Sequence, residues 1–141
     1  MVVKVIGRLA QTLAGLWIFN VWFNRFSKDT GYRGGDATNM KEEFEVYGIP
    51  ENAMYAIGAA KVTLAGLLLV GHAEPRIVRP ASMGLAAFMV GATAMHVKVG
   101  DPLKRYLPAL AVFSLATTSA ILNGTASTNS SQTATVHLDQ P

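Results

Sequence analysis

Four long apolar stretches dominate this 141-residue chain, and they limit the folds open to it. They run over residues 5–23, 53–71, 80–97 and 106–122. A helix needs about 20 apolar residues to cross the hydrocarbon core of a bilayer, so each stretch is close to one span. Residues 62–70 and 84–94 lack the regularly spaced polar residues of a soluble helix. The sequence therefore predicts an all-α integral membrane four-helix bundle over residues 1–122, with a multi-pass location.

The composition supports this prediction and excludes several classes of function. Half of the residues are apolar and 15% are charged, whereas a soluble domain carries about 25% charged residues. The absence of cysteine excludes disulfides and thiolate metal sites. No basic cluster is dense enough to predict nucleic-acid binding. The apolar N-terminal stretch continues to Phe26 with no small-residue cleavage site after it, so we interpret it as a retained span and not a signal peptide.

The connection over residues 24–52 is the longest and most charged. Its first half is rich in glycine and is predicted to be irregular, whereas residues 39–47 fit a short helix that begins with an Asn39–Glu42 capping pair. Met40, Phe44 and Tyr47 share one face of that helix, which lies either in the headgroup plane or on the bundle. The charged residues are expected to form a solvated face: Lys41, Glu42, Glu43 and Glu45.

The positive residues and the polar C-terminus give two further expectations. Lysine and arginine are more frequent in the first and third connections, which favours a cytoplasmic, matrix or stromal location for both. Residues 123–141 form a polar C-terminal tail that is too poor in apolar residues to bury a core, so we expect it to be disordered in isolation.

Two residues are candidates for cofactor binding. Lys61 lies in the middle of the second stretch, where a charge is costly, and a proton, quinone or ion contact is the functional interpretation. The preferred structural interpretation is a polar partner such as Gln11, Asn20 or Thr93, or a snorkelling side chain.

His96 ends the third stretch. It can ligate haem or chlorophyll magnesium, relay protons, or simply form a hydrogen bond at the interface. No second histidine follows at helical spacing, so no metal site is predicted. No catalytic constellation is recognised either.

Several motifs resemble those of the DoxX-like family of small four-helix membrane proteins. They are Tyr47-Gly48-Ile49-Pro50, Ile57-Gly58-Ala59-Ala60-Lys61 leading into residues 64–69, and the stretch from His96 to Tyr106. The last is closest to the eukaryotic branch that includes the receptor-assembly chaperone NACHO. The resemblance covers roughly residues 5–122. It implies a four-helix membrane fold and a link to quinol oxidation, membrane redox complexes or assembly of other membrane proteins. The chain departs from the family pattern at Asn24, where a lysine is usual, and at Lys61, where a glutamate is usual.

Three functional hypotheses remain open at this point. The preferred one is a non-catalytic accessory subunit or assembly factor, in contact with lipid and with other membrane protein subunits. It is motivated by small residues that let helices approach closely, namely Ser82, Gly84, Ala87 and Gly91. The alternative is a small membrane subunit of a quinol-linked oxidoreductase, with Lys61 and His96 near a quinone or a proton path. A pigment- or haem-binding subunit that uses His96 is the third.

Overall fold

The structure, a computed structural model, describes the backbone of residues 1–138 and the side chains of residues 1–123. Five α-helices occur in this part of the chain, at Val2–Phe19 (α1), Met40–Val46 (α2), Glu51–Val70 (α3), Val78–Lys98 (α4) and Leu103–Leu138 (α5). A π-helical turn, Asn20–Asn24, extends α1, and a 3₁₀ turn, Pro75–Ile77, leads into α4.

The predicted fold class is confirmed, because the described residues contain helices and no strand. Four segments are long and apolar enough to cross a membrane: Val2–Asn24, Glu51–Val70, Pro75–Lys98 and Leu103–Asn123. The chain is therefore a multi-pass integral membrane protein. α5 continues through the first part of the polar tail. Residues 139–141 and the side chains after Asn123 lie outside the described residues, so the expectation of disorder in the tail stays a prediction.

The four spans pack as one bundle with lipid-facing apolar surfaces. α5 packs along α4 and α1, and α3 packs along α1 and α4. Small buried residues such as Ala14, Ala65 and Ala116 let these helices approach closely. Leucines on the outer face of α1, such as Leu13 and Leu16, are exposed. Since exposed leucines at this density suit hydrocarbon and not water, the outer surface agrees with a membrane location.

Close approach is also visible at single glycines and serines. A Cβ atom on Gly58 would overlap the Trp22 ring, so α3 can lie against the end of α1 only with glycine there. Of the small residues on α4, Ser82 is buried and Gly84 lies against Leu64, whereas Ala87 and Gly91 are exposed. The small residues of α4 therefore divide between the interior of the bundle and its outer surface.

Amide and hydroxyl side chains join the helices at one end of the bundle, next to the turn over residues 71–77. We refer to Gln11, Ser82, Ser119 and Asn123 as the amide cluster. The Asn123 amide donates to Gly7 O, Gln11 Oε1 and Ser119 Oγ. Ser82 Oγ donates to Ser119 Oγ over 2.9 Å, and Gln11 Nε2 donates to Leu68 O. This neutral cluster cross-links α1, α3, α4 and α5.

The opposite end, which we name the loop end, carries the short helix α2. Asn39 caps α2 by accepting a hydrogen bond from Glu42 N, and the Glu42 carboxylate accepts from the Thr38 N–H. Hydrogen bonds from the Thr38 N–H and the Thr38 hydroxyl to this carboxylate lower the pKa of Glu42, because they favour its ionised form. Phe44 packs edge-on against Trp22 and is buried, so α2 covers the loop end of the bundle.

Candidate functional site

A cavity of about 250 Å³ lies between the helices at the loop end. All five helices and the first connection contribute to its lining. The apolar part of the lining includes Trp17, Ile18, Val21, Trp22, Ile57, Phe88, Met89, Ala109 and Val112. The polar part includes Arg25, Thr30, Tyr32, Arg33, Glu43, Tyr47, Lys61, His96 and Arg105. The cavity thus combines an aromatic, lipid-like interior with charged groups, as expected of a site for a small amphiphilic molecule.

Two residues of the cavity lining are exposed. Of its lining residues, Tyr32 in the first connection and Gly91 in α4 are exposed. A Cβ atom added to Gly91 would meet no atom within 4 Å. Gly91 also lies within the span Pro75–Lys98. We refer to this exposed lining position as the Gly91 opening, since it is the position within a span at which a lipid-soluble molecule could enter.

Lys61 projects into this cavity between two aromatic rings. Its Nζ atom lies 5.9 Å from the ring centroids of both Trp22 and Phe88, within the range of cation–π contacts. Among the described residues, no side-chain acceptor or carboxylate lies within bonding distance of this ammonium group. Lys61 is therefore a basic group within a span whose nearest contacts are two aromatic faces, while the charge of Glu43 acts on it from beyond bonding distance.

The polar partners suggested for Lys61 by the sequence are wrong. Gln11 belongs to the amide cluster at the other end of the bundle. Asn20 accepts from the Asn24 amide, and the Thr93 hydroxyl donates to the carbonyl of Met89 in its own helix. Each suggested group is satisfied elsewhere, which leaves the Lys61 ammonium facing the cavity.

His96, the other candidate, lines the same cavity but has close partners. Its Nδ1 atom lies 2.7 Å from Asp101 Oδ2, and its Nε2 atom lies 3.2 Å from Tyr47 Oη. Tyr47 Oη in turn lies 2.8 Å from Glu43 Oε1. Both ring nitrogens of His96 are engaged, so ligation of haem or chlorophyll would require one of these hydrogen bonds to break.

Two arginines complete this arrangement. Arg33 Nη1 lies 2.9 Å from Glu43 Oε2, and Arg105 Nη1 lies 3.1 Å from Asp101 Oδ1. We name the set of six residues the charged network: Arg33, Glu43, Tyr47, His96, Asp101 and Arg105. The side chains of Arg33, Glu43 and Asp101 are only 4%, 12% and 3% exposed. Ions this deeply buried are tolerated because each has an oppositely charged partner and further hydrogen bonds.

A count of protons shows what the hydrogen bonds of His96 require. Three hydrogen bonds run in series from Glu43 through Tyr47 and His96 to Asp101. Each of the two carboxylates lies in ion-pair contact with an arginine. Each of the three bonds needs one proton, and Tyr47 has only one to donate. When Tyr47 donates to Glu43, His96 must donate from both ring nitrogens. The geometry therefore suits a His96 that donates from both ring nitrogens, to Tyr47 and to Asp101.

The environment shifts the pKa values of two members of the network. Burial raises the pKa of Tyr47 far above its usual range, and the charge and hydrogen bond of Glu43 raise it further. Tyr47 therefore keeps its proton and remains a donor. Burial acts to raise the pKa of Asp101, but hydrogen bonds from His96 and Gly35 N–H, with the charges of His96 and Arg105, outweigh it and lower the pKa.

The first connection is irregular, and Arg33 supplies much of its internal bonding. The Arg33 guanidinium donates to the carbonyls of Arg25, Phe26 and Lys28 in addition to Glu43. Gly34 N donates to Glu43 Oε1, and Gly35 N donates to Asp101 Oδ1 over 2.9 Å. The connection is thereby held over the loop end of the cavity.

The sequence-based prediction that Glu43 lies on a solvated face is wrong, because its side chain is only 12% exposed and lines the cavity. Met40, Glu43, Phe44 and Tyr47 follow the i, i+3, i+4, i+7 spacing of one helix face. That spacing places Glu43 among the buried residues of α2, and attention to it would have identified the Glu43–Tyr47 pair. Arg33 and Asp101 lie in irregular segments and have no comparable signal.

Comparisons with known proteins bear on the family alone. The chain matches neither a curated protein nor a solved structure. The sequence model described as the DoxX-like family matches residues 32–119, which is more than half of the chain. The matched range leaves out the first span and contains Lys61 and all six residues of the charged network. The chain therefore belongs to the DoxX-like family.

Proposed function

We propose that this membrane protein binds a single lipid-soluble amphiphile in the cavity between its spans. The observation that carries this proposal is Lys61, an ammonium group that faces an aromatic cavity without a bonded partner. A buried cation without a partner is costly, and such residues within spans usually mark a binding or transport path. A bound molecule with a polar head would satisfy the ammonium, while its apolar body would contact the rings.

The rest of the cavity supports the same role. The apolar residues of α1, α4 and α5 offer a surface like that of the bilayer interior, and the Gly91 opening gives access from lipid. A quinone head group is one kind of amphiphile that suits such a site. The proposal therefore agrees with the quinol-linked alternative in its binding step. The proposal concerns this binding step alone.

The experiment compares molecules that co-purify with the wild type and two variants. Gly91→Leu puts a side chain into the cavity opening, where it meets no neighbour. Ala87→Leu is the matched control, since Ala87 lies one turn earlier on the exposed face of α4 and does not line the cavity. Protein purified in mild detergent is extracted and the extract is analysed by mass spectrometry. We expect one enriched amphiphile in the wild type and in Ala87→Leu, and its loss in Gly91→Leu.

Two results would reject this proposal. The first is the absence of any species enriched over the bulk lipid extract in the wild type. The second is equal retention of the enriched species in all three proteins, because the molecule would then be attached to the outer surface and not to the cavity.

A second candidate, an accessory subunit or assembly factor, is favoured by the outer face of α4. Ala87 and Gly91 are exposed small residues one turn apart, an arrangement that lets a partner helix approach closely. The likeness of the His96–Tyr106 stretch to the branch that includes NACHO also supports an assembly role. We expect a larger complex on blue-native electrophoresis that Ala87→Leu disrupts. Migration of the wild type as a free monomer would count against this candidate.

A further inference from the structure

We infer that the molecule bound in the cavity is an acid, a single-chain amphiphile whose carboxylate pairs with Lys61. This inference rests on the proposed function and specifies the chemistry of the ligand. It is carried by the charges that line the cavity, by the position of Lys61 between two rings, and by the size and apolar character of the remaining lining.

The lining residues carry more positive charge than their own carboxylates can neutralise. Four of the described lining residues are permanent or usual cations: Arg25, Arg33, Lys61 and Arg105. Glu43 is the carboxylate among them, and it pairs with Arg33. Arg105 is paired with Asp101 behind the lining. Arg25 and Lys61 therefore have no carboxylate within ion-pair distance among the described residues, although the charge of Glu43 also reaches Lys61. One lining carboxylate does not neutralise these cations, so the cavity attracts an anion.

Both of these cations lie over tryptophan rings of the same helix. The Arg25 guanidinium is 5.8 Å from the Trp17 ring centroid, and Lys61 Nζ is 5.9 Å from that of Trp22. Ring faces stabilise a cation but do not accept a strong hydrogen bond from it. The ammonium protons of Lys61 that point into the cavity thus lack acceptors, and a carboxylate supplies two oxygen atoms for them.

The depth of Lys61 within the span favours a carboxylate over other polar head groups. It lies ten residues after the start of α3 at Glu51, which is about 15 Å along the helix axis and roughly half of the hydrocarbon thickness. A carboxylate is compact and carries one charge, which matches one ammonium group. A phosphate monoester carries up to about two charges and is bulkier, so burial at this depth leaves charge uncompensated. A quinone offers neutral carbonyls and leaves the cation unneutralised.

The size of the cavity fits one chain and not two. Its volume of about 250 Å³ is just below the range of roughly 300–1,000 Å³ typical of small-molecule sites. A head group and the first part of an acyl chain fill such a volume between Trp22, Phe88 and Val112. The rest of the chain leaves through the Gly91 opening and lies along the outside of α4 in lipid.

The test measures binding of tritiated palmitate to the full chain in nanodiscs of phosphatidylcholine, with hexadecanol as a neutral competitor of equal length. The variants are Lys61→Met, Lys61→Gln and Lys61→Arg, and Lys104→Met is the control because Lys104 is exposed and outside the cavity. Loss of a charged hydrogen bond predicts palmitate binding at least about tenfold weaker in Lys61→Met and Lys61→Gln. Lys61→Arg and Lys104→Met should bind palmitate within about threefold of the wild type.

Each other outcome has a distinct meaning. The inference is overturned if hexadecanol competes as well as palmitate and the Lys61 variants bind both molecules as tightly as the wild type does. The ligand is then a neutral amphiphile, and the proposed function stands. If Gly91→Leu also leaves binding unchanged, the cavity is not the site and both fail. Palmitate labelled with ¹³C at the carboxyl carbon gives an independent readout, because its chemical shift reports an ionised head in the wild type. A neutral carboxylic acid shift in the bound state contradicts the ion pair.

Discussion

The two ends of the bundle hold polar side chains inside an apolar fold in different ways. The amide cluster is neutral, and its members donate and accept within the set and to nearby backbone carbonyls. The charged network consists of two arginines and two carboxylates, which the side chains of Tyr47 and His96 connect. It borders the cavity. Neutral hydrogen bonds suffice to join helices, so the amide cluster can serve packing alone. The charges of the network border the cavity, an arrangement that supports the proposed ligand.

The largest expected effect comes from removing one ion of the charged network. Arg33→Met leaves the Glu43 carboxylate buried without its cation and deprives three backbone carbonyls of their donor. Breaking a buried pair in this way typically costs about 3–5 kcal/mol. We expect a loss of that size in the free energy of unfolding, measured by denaturant titration in detergent. Arg76→Met is the control, since Arg76 is 91% exposed, and it should change the free energy by less than about 0.5 kcal/mol. A similar loss in both variants would contradict the prediction.

A smaller effect is expected where the network depends on a neutral hydroxyl. Tyr47→Phe removes the group that bridges Glu43 and His96 and keeps the aromatic packing against Phe44. A hydrogen bond to a charged group contributes about 1.5–3 kcal/mol, which is the expected drop in the same titration. An unchanged free energy of unfolding would mean that Glu43 and His96 interact without Tyr47, as their 3.8 Å separation permits.

A substitution in the amide cluster should lower the free energy of unfolding by less than Arg33→Met or Tyr47→Phe. Gln11→Leu preserves the volume of the side chain and removes its bonds to Leu68 O and to Asn123. Side-chain hydrogen bonds between membrane helices average about 0.6 kcal/mol with a maximum near 1.7, so we expect a loss of about 1 kcal/mol. Ser114→Ala is the matched control, because Ser114 bonds only its own helix at Leu110 O, and it should change little. If Gln11→Leu lowered the free energy of unfolding as much as Arg33→Met, the neutral amide cluster would stabilise the fold as strongly as the charged network, which contradicts the prediction.

The smallest expected effect is a decrease at low pH in the contribution of Asp101 to the free energy of unfolding. The pKa of Asp101 is lower in the folded protein than in the unfolded chain, where it is about 3.9. Its stabilising contribution is therefore complete above that value and is lost as the pH falls through the lower folded pKa. The difference in unfolding free energy between wild type and Asp101→Asn should shrink over this acidic range. The difference between wild type and Gln11→Leu should stay constant, and a parallel decline in both would argue against Asp101 as the source.

The sequence predicted the four apolar helices of the membrane fold because hydropathy is a local property that each helix carries in its own residues. It also identified Lys61 and His96 one by one, since a charge within a span and a histidine at its end are conspicuous. It did not show that they share a cavity. The pair Gly35–Asp101 joins residues 66 positions apart in irregular segments. No periodicity connects such residues, so only the folded arrangement brings them together.

The anchoring of the first connection has a consequence for the order of assembly. Asp101 and Arg105, which hold Gly35, belong to the third connection and the start of α5. The ribosome makes them long after Arg33 and Glu43, so the first connection can be internally bonded before its anchors exist. The loop end of the cavity then closes only when the fourth span has inserted beside the other three. Until that moment a chaperone or protease can distinguish an unfinished chain from a complete one by access to the side chains around Tyr47 and His96.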